Sequence, residues 1–208
     1  MSDDSTPEST PQATEGGTRW RRFGLALIPG LAAAGILGGM TTQGMLAASF
    51  AVSGDSFKLS ADSLRGQGFA QYGDVATSVD ETSRPVGLSL INSAELDNLC
   101  MSSLVDLPIG EATLLITAGE DKPVEASSMV VDVEQLDGNA TFETIEIGRD
   151  ASTLDKVSGP KGPAGAFGLQ SDGAVIDDLE LTAWSVNAGT LKLAGLNLGV
   201  QPGNHECF

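Results

Sequence analysis

Two cysteines and one histidine in 208 residues leave this chain short of the side chains on which most enzyme chemistry depends. A zinc site needs about four nitrogen or sulfur ligands. Cys207 and the neighbouring His205 supply two, and no second cysteine lies near them. The pentapeptide G-x-S-x-G is absent, which removes the usual strand-to-helix elbow of a serine esterase. No P-loop, no dinucleotide glycine fingerprint and no calcium loop with a closing Glu occurs, so neither a cofactor nor a metal is expected. Basic residues are scarce too: 11 Lys and Arg face 28 Asp and Glu, a net charge of −17. Phosphate contacts need Lys and Arg, so nucleic acid is not expected as a partner.

Charge of either sign is missing altogether between Phe23 and Gly54, and Arg19, Arg21 and Arg22 stand just before that run. Its most apolar part, residues 23–40, is near the length a helix needs to cross hydrocarbon and exceeds the core of an ordinary cleaved signal. The arginines set the orientation by the positive-inside rule, which delivers everything beyond about Val52 outside the cell. Residues 1–18, rich in Ser, Thr, Pro, Asp and Glu, bury too little to offset ordering entropy and read as a disordered cytoplasmic tail. Residues 19–51 read as a transmembrane anchor. The alternative is secretion after cleavage near Ala51, because Ala47, Ser49 and Ala51 provide the small residues a signal peptidase requires. Gly35 and Gly39 form a GxxxG through which two such helices would pack as a homo-oligomer.

Residues 52–208 have the size of one domain, and their periodicity changes from continuous to alternating. Period-two segments lie at 127–135, 140–147 and 190–200, with further candidates at 56–61, 68–72, 86–91, 112–118 and 175–186. Turn signals separate them at 119–123, at Asp137-Gly138-Asn139 and at Asn187-Ala188-Gly189. One short helix is expected around 151–157 with Asp150 as its cap, followed by a Pro/Gly-rich surface loop over 159–168. The fold class is mainly β: an antiparallel sheet or sandwich domain preceded by one N-terminal transmembrane helix. Strand alternation also accounts for the acidic pairs. Asp132 and Glu134 share a face opposite Val131 and Val133, where solvated charge belongs. Cys100 and Cys207 both fall on the exported side, where two isolated thiols pair, closing a long loop and pinning the C-terminal tail.

The tetrapeptide Gly54-Asp55-Ser56-Phe57 is similar to the opening block of the GDSL esterases, and His205 lies near the C-terminus where that family keeps its base. Ser56 and His205 are therefore the alternative catalytic pair. The chain departs from the family at Pro202, which stands where the family has an Asp three residues before the base, and in lacking the helices of the layered esterase fold. The arginine-led apolar segment resembles the start of a family of actinobacterial exported proteins of unknown function. So do residues 57–73, Phe-Lys-Leu-Ser-Ala-Asp-Ser-Leu-Arg-Gly-Gln-Gly-Phe-Ala-Gln-Tyr-Gly, and residues 145–154, Ile-Glu-Ile-Gly-Arg-Asp-Ala-Ser-Thr-Leu. Some members of that family carry the label cholesterol esterase. The resemblance covers about residues 19 to 200 and implies an actinobacterial source and an extracytoplasmic β domain. The sequence reading is a membrane-tethered, non-enzymatic domain that binds a lipid or a cell-envelope protein or serves as cell-surface structure. A lipid (cholesterol-type) ester hydrolase is the alternative.

Overall fold

A computed structural model describes residues 54–208. The expected tail at 1–18 and the anchor or signal segment at 19–51, with Arg19, Arg21, Arg22, Gly35 and Gly39, lie outside the described residues. Among the described residues no helix is long and apolar enough to cross a membrane. The strands are β1 (Phe57–Thr77), β2 (Ser83–Asp97), β3 (Leu99–Leu107), β4 (Gly110–Ala118), β5 (Val124–Glu143), β6 (Glu146–Asp150), β7 (Phe167–Asn187), β8 (Thr190–Lys192) and β9 (Asn197–Pro202). All their pairings are antiparallel.

Four of these strands close a ring. β1 pairs with β2 and with β7, β2 pairs with β5, and β5 pairs with β7. Crossing the ring from Gly73 leads through Gly87, Val133 and Ala183 back to β1 at Phe57, far from the starting residue. So large a stagger makes the strands coil steeply around the axis, which is how a few very long strands enclose a core. The result is one sheet rolled on itself, not two separate sheets of a sandwich. The coiling is helped by local breaks. β2 runs into β3 through Asn98, at φ 50, a conformation Asn tolerates, and both hold the same register against β1.

Alternation along each strand sorts the side chains. Leu64, Phe69, Ile91, Leu96, Val131 and Ile176 belong to the inner cluster, each less than a tenth exposed. Asp132, between Val131 and Val133, faces outward and accepts a hydrogen bond from Ser185 Oγ; Glu134 on the same face is exposed. A second, smaller cluster forms on the outside of the ring. Ala70, Tyr72, Leu88 and Leu90 lie beneath Ala151, Leu154 and Val157, which come from the segment between β6 and β7.

Several sequence expectations change at this level. The candidates at 56–61 and 68–72 are parts of the single strand β1, and β3 had no counterpart among the expected strands. Asp137-Gly138-Asn139 is not a turn. It is an irregularity inside β5, with Gly138 at φ 150, so 127–135 and most of 140–147 form one strand. A Cβ on Gly138 would lie 2.8 Å from Ile176 Cγ2 and 3.0 Å from the Asp177 carbonyl, so β7 passes where a side chain would stand. The expected strand 190–200 is two short ones, β8 and β9, interrupted where Ala194 gives its carbonyl to Gly119 N–H at 2.8 Å. The helix expected over 151–157 is only the 3-10 turn Ala151–Thr153; Asp150 does cap it, accepting from Ser152 N–H at 2.9 Å. It stops there because Asp155 and Lys156 N–H turn toward Gln170 instead.

Candidate functional site

The inner alternation leaves one apolar void of about 40 Å³ inside the ring, walled by residues that include Leu64, Phe69, Met129, Val131, Ile176 and Leu179. That space admits a few waters at most, and an all-apolar lining keeps it dry. A surface cleft of about 300 Å³ lies over it. The cleft shares Phe69, Val133, Leu136 and Ile176 with the void and adds Phe142, with Gln71 and Glu134 among its polar lining. Phe69 and Phe142 pack with ring centroids 5.5 Å apart. Gln71 donates from Nε2 to Ser89 Oγ at 3.0 Å. The cleft sits where β5 is irregular, at the register shifts on either side of Val133. Apolar walls with a few polar groups at the edge are what a small amphipathic ligand requires, and the volume is at the lower end for such sites.

The two cysteines come together. Cys100 on β3 is bonded to Cys207, with Cα atoms 5.9 Å apart. The C-terminal tail lies back across the outer face of β3 and β4, and buried hydroxyls hold it there. Ser102 Oγ accepts from Cys207 N–H at 3.0 Å, and Thr113 Oγ1 accepts from His205 N–H at 2.9 Å while donating to the Gly203 carbonyl at 2.8 Å. Ser102 and Thr113 are fully buried. Lys58 joins the tail to β1 through Glu206 at 3.1 Å and the Phe208 carbonyl at 2.8 Å. Ser56 stands just before β1, and His205 is an exposed residue of this tail, its backbone rather than its ring engaged with Thr113. Among the described residues no hydrogen bond joins Ser56 to His205. No group of three or more His, Cys, Asp or Glu there is placed to hold a metal ion.

The densest polar cluster is one that sequence reasoning did not single out. Gln170 on β7 is fully buried and uses its whole side chain. Its Oε1 accepts from Asp155 N–H at 2.8 Å and Lys156 N–H at 3.2 Å, and its Nε2 donates to Glu146 and Asp155, both at 2.9 Å. Arg149 pairs with Glu146 and, at 3.6 Å, with Asp155. The hydrogen bond from Arg149, then that from Gln170, holds the Glu146 carboxyl below the usual range; Gln170 and then the Arg149 charge do the same for Asp155. The Asp150 carboxyl is held low by Ser152, first through its hydroxyl and then through its backbone N–H. This cluster fastens the 151–166 segment over the outer apolar patch. Beneath it burial, and then the charges of Asp74 and Asp132, push the Tyr72 phenol up to about 12. Neither the cleft nor this cluster was legible in sequence. Their residues come from strands distant along the chain, and a lone Gln between Leu169 and Ser171 carries no motif.

No curated protein and no solved structure matches the chain. The model of one family does match, over residues 53–208, the whole of the described β domain. The chain belongs to that family, the family of unknown function DUF6230.

Proposed function

We propose that this chain is a membrane-tethered extracytoplasmic β domain that holds a small amphipathic or lipid-like molecule in the cleft over Phe69, Leu136 and Phe142, with no catalytic step of its own. The observation that carries the reading is the junction of that cleft with the apolar void through four shared wall residues. An acyl chain or comparable group would lie on Phe69, Leu136 and Phe142. Its polar end would meet Gln71 and Glu134. The Glu134 carboxylate and the acidic balance of the chain favour a neutral or amine-bearing head over an anionic one. The tether is read from the uncharged run after Arg19, Arg21 and Arg22, and the compartment from the Cys100–Cys207 pair. Hydrolysis of a lipid ester by Ser56 with His205, the alternative, rests on the sequence resemblance.

The test is native mass spectrometry of the full chain extracted in mild detergent, alongside Leu136→Glu, which places a second carboxylate on the cleft wall. A bound mass on the wild type that is lost in the variant is the expected result. A wild type that carries no ligand after extraction in several mild detergents overturns the reading, as does a ligand retained at equal occupancy by Leu136→Glu.

A further inference from the structure

β1 ends too early for its neighbours. Its register against β2 and β3 is one continuous ladder from Thr77 opposite Ser83 to Lys58 opposite Ser102, and its register against β7 runs from Tyr72 opposite Gly168 to Phe57 opposite Ala183. β1 starts at Phe57, yet both neighbours continue past it. β3 runs on to Leu107, and β7 runs on to Asn187 and is followed by β8. Over those stretches β3 pairs only with β4, and β7 and β8 pair only with β5, so the edges that would face β1 carry no strand. The side chains along the inner face of this overhang are apolar and partly uncovered: Val105 is 41%, Leu107 44% and Leu191 43% exposed.

The described chain begins at this opening and does not lead away from it. The Gly54 carbonyl accepts from Arg84 Nη2 at 3.4 Å, and the Arg84 guanidinium lies over the Trp184 ring at 4.3 Å. Trp184 is the first β7 residue beyond the last β1 pair. Upstream of Gly54, residues 47–53 read Ala-Ala-Ser-Phe-Ala-Val-Ser. Ala48, Phe50 and Val52 alternate with Ala47, Ser49, Ala51 and Ser53, the period of a half-buried strand, and no charge interrupts them. The bend at Gly54 and Asp55 provides the one-residue phase change that sets Phe50 and Val52 on the inner face. A bilayer or a second copy is a poorer occupant. Both would approach a domain of strongly acidic balance, and Asp106 and Glu111 stand exposed opposite each other near the tip of the overhang.

We propose that residues 47–53, which lie outside the described residues, continue β1 as the missing strand of the ring, covering the free edges of β3 and of β7 with β8. Phe50 and Val52 then seat on the apolar inner face. The domain is complete only with the segment that joins it to the apolar run, so a cut near Ala51 opens the ring.

Hydrogen–deuterium exchange on the full chain in detergent tests this, with Phe50→Glu/Val52→Glu as the comparison. Peptides covering 103–107 and 184–192 should exchange at least tenfold more slowly in the wild type than in the variant, with peptides from 86–96 equally protected in both as proof that the ring survives. Equal exchange in the two proteins overturns the proposal. Protection that grows with protein concentration assigns the edges to a second copy, and protection seen only in phosphatidylcholine vesicles assigns them to the bilayer; either result also overturns it. An anchored, ligand-bearing chain without the protection sinks this inference alone.

Discussion

Replacing Gln170 by Leu keeps the volume and removes every polar contact of a fully buried side chain. The Glu146 and Asp155 carboxylates regain water at little cost, because both are partly solvated already. The N–H groups of Asp155 and Lys156 lose their acceptor against the sheet, and each unsatisfied buried donor costs about 1–3 kcal/mol. Allowing for partial rehydration, the sum is about 2–4 kcal/mol. In a domain of this size each kcal/mol moves Tm by about 2–4 °C, so the variant should melt roughly 5–15 °C lower. The loss should be local first. Lys156 and Lys161 lie in the segment that Gln170 holds down, so trypsin should cut there in the variant well below its global Tm. Gln170→Glu should be at least as damaging at neutral pH, since it sets a third carboxylate beside Glu146 and Asp155. A Gln170→Leu protein that melts within 2 °C of wild type and resists trypsin equally would refute the view that this side chain fastens the segment.

Replacing both Cys100 and Cys207 by Ala should cost about 4–5 kcal/mol in the chain-entropy model, since the closed loop spans 107 residues, and thermal unfolding should drop by about 10–20 °C. The Tyr72 phenol has a folded pKa of about 12 against an ordinary 10.0, so the protonated form that folding favours stabilises below pH 10 and that contribution fades as pH rises toward 12. Denaturant titrations at pH 9 and 11.5 should show the loss in wild type and a smaller one in Tyr72→Phe. Glu146, Asp150 and Asp155 have depressed folded values, so their contribution is present above about pH 4 and is lost as pH falls through them; stability measured from pH 6 to 3 should decline. Gly138→Ala should destabilise by about 1–3 kcal/mol, because its φ is in the glycine region and the added Cβ meets β7. Cell fractionation with a C-terminal tag should find the full-length chain in the membrane and digestible from outside; a soluble product beginning near Val52 would contradict the tether.

Alternation alone determined that residues 52–208 are β, which face of 127–135 is apolar, and that Asp132 and Glu134 lie away from the core, because period two is a local property of a strand. The scarcity of His and Cys limited the chemistry, and having only two cysteines named the pair that bonds. The lengths of the strands were not legible. Gly138 and Gly68 read as breaks, yet a strand paired on both sides carries such residues as local kinks without ending. The division of 190–200 was hidden for the opposite reason, since its alternation continues through a stretch that bonds to Gly119 instead of a neighbouring strand. Ring closure, the cleft at the irregular part of β5 and the four-partner Gln170 were decided only by the tertiary structure. Each depends on a stagger between strands up to about a hundred residues apart, which no window along the chain contains.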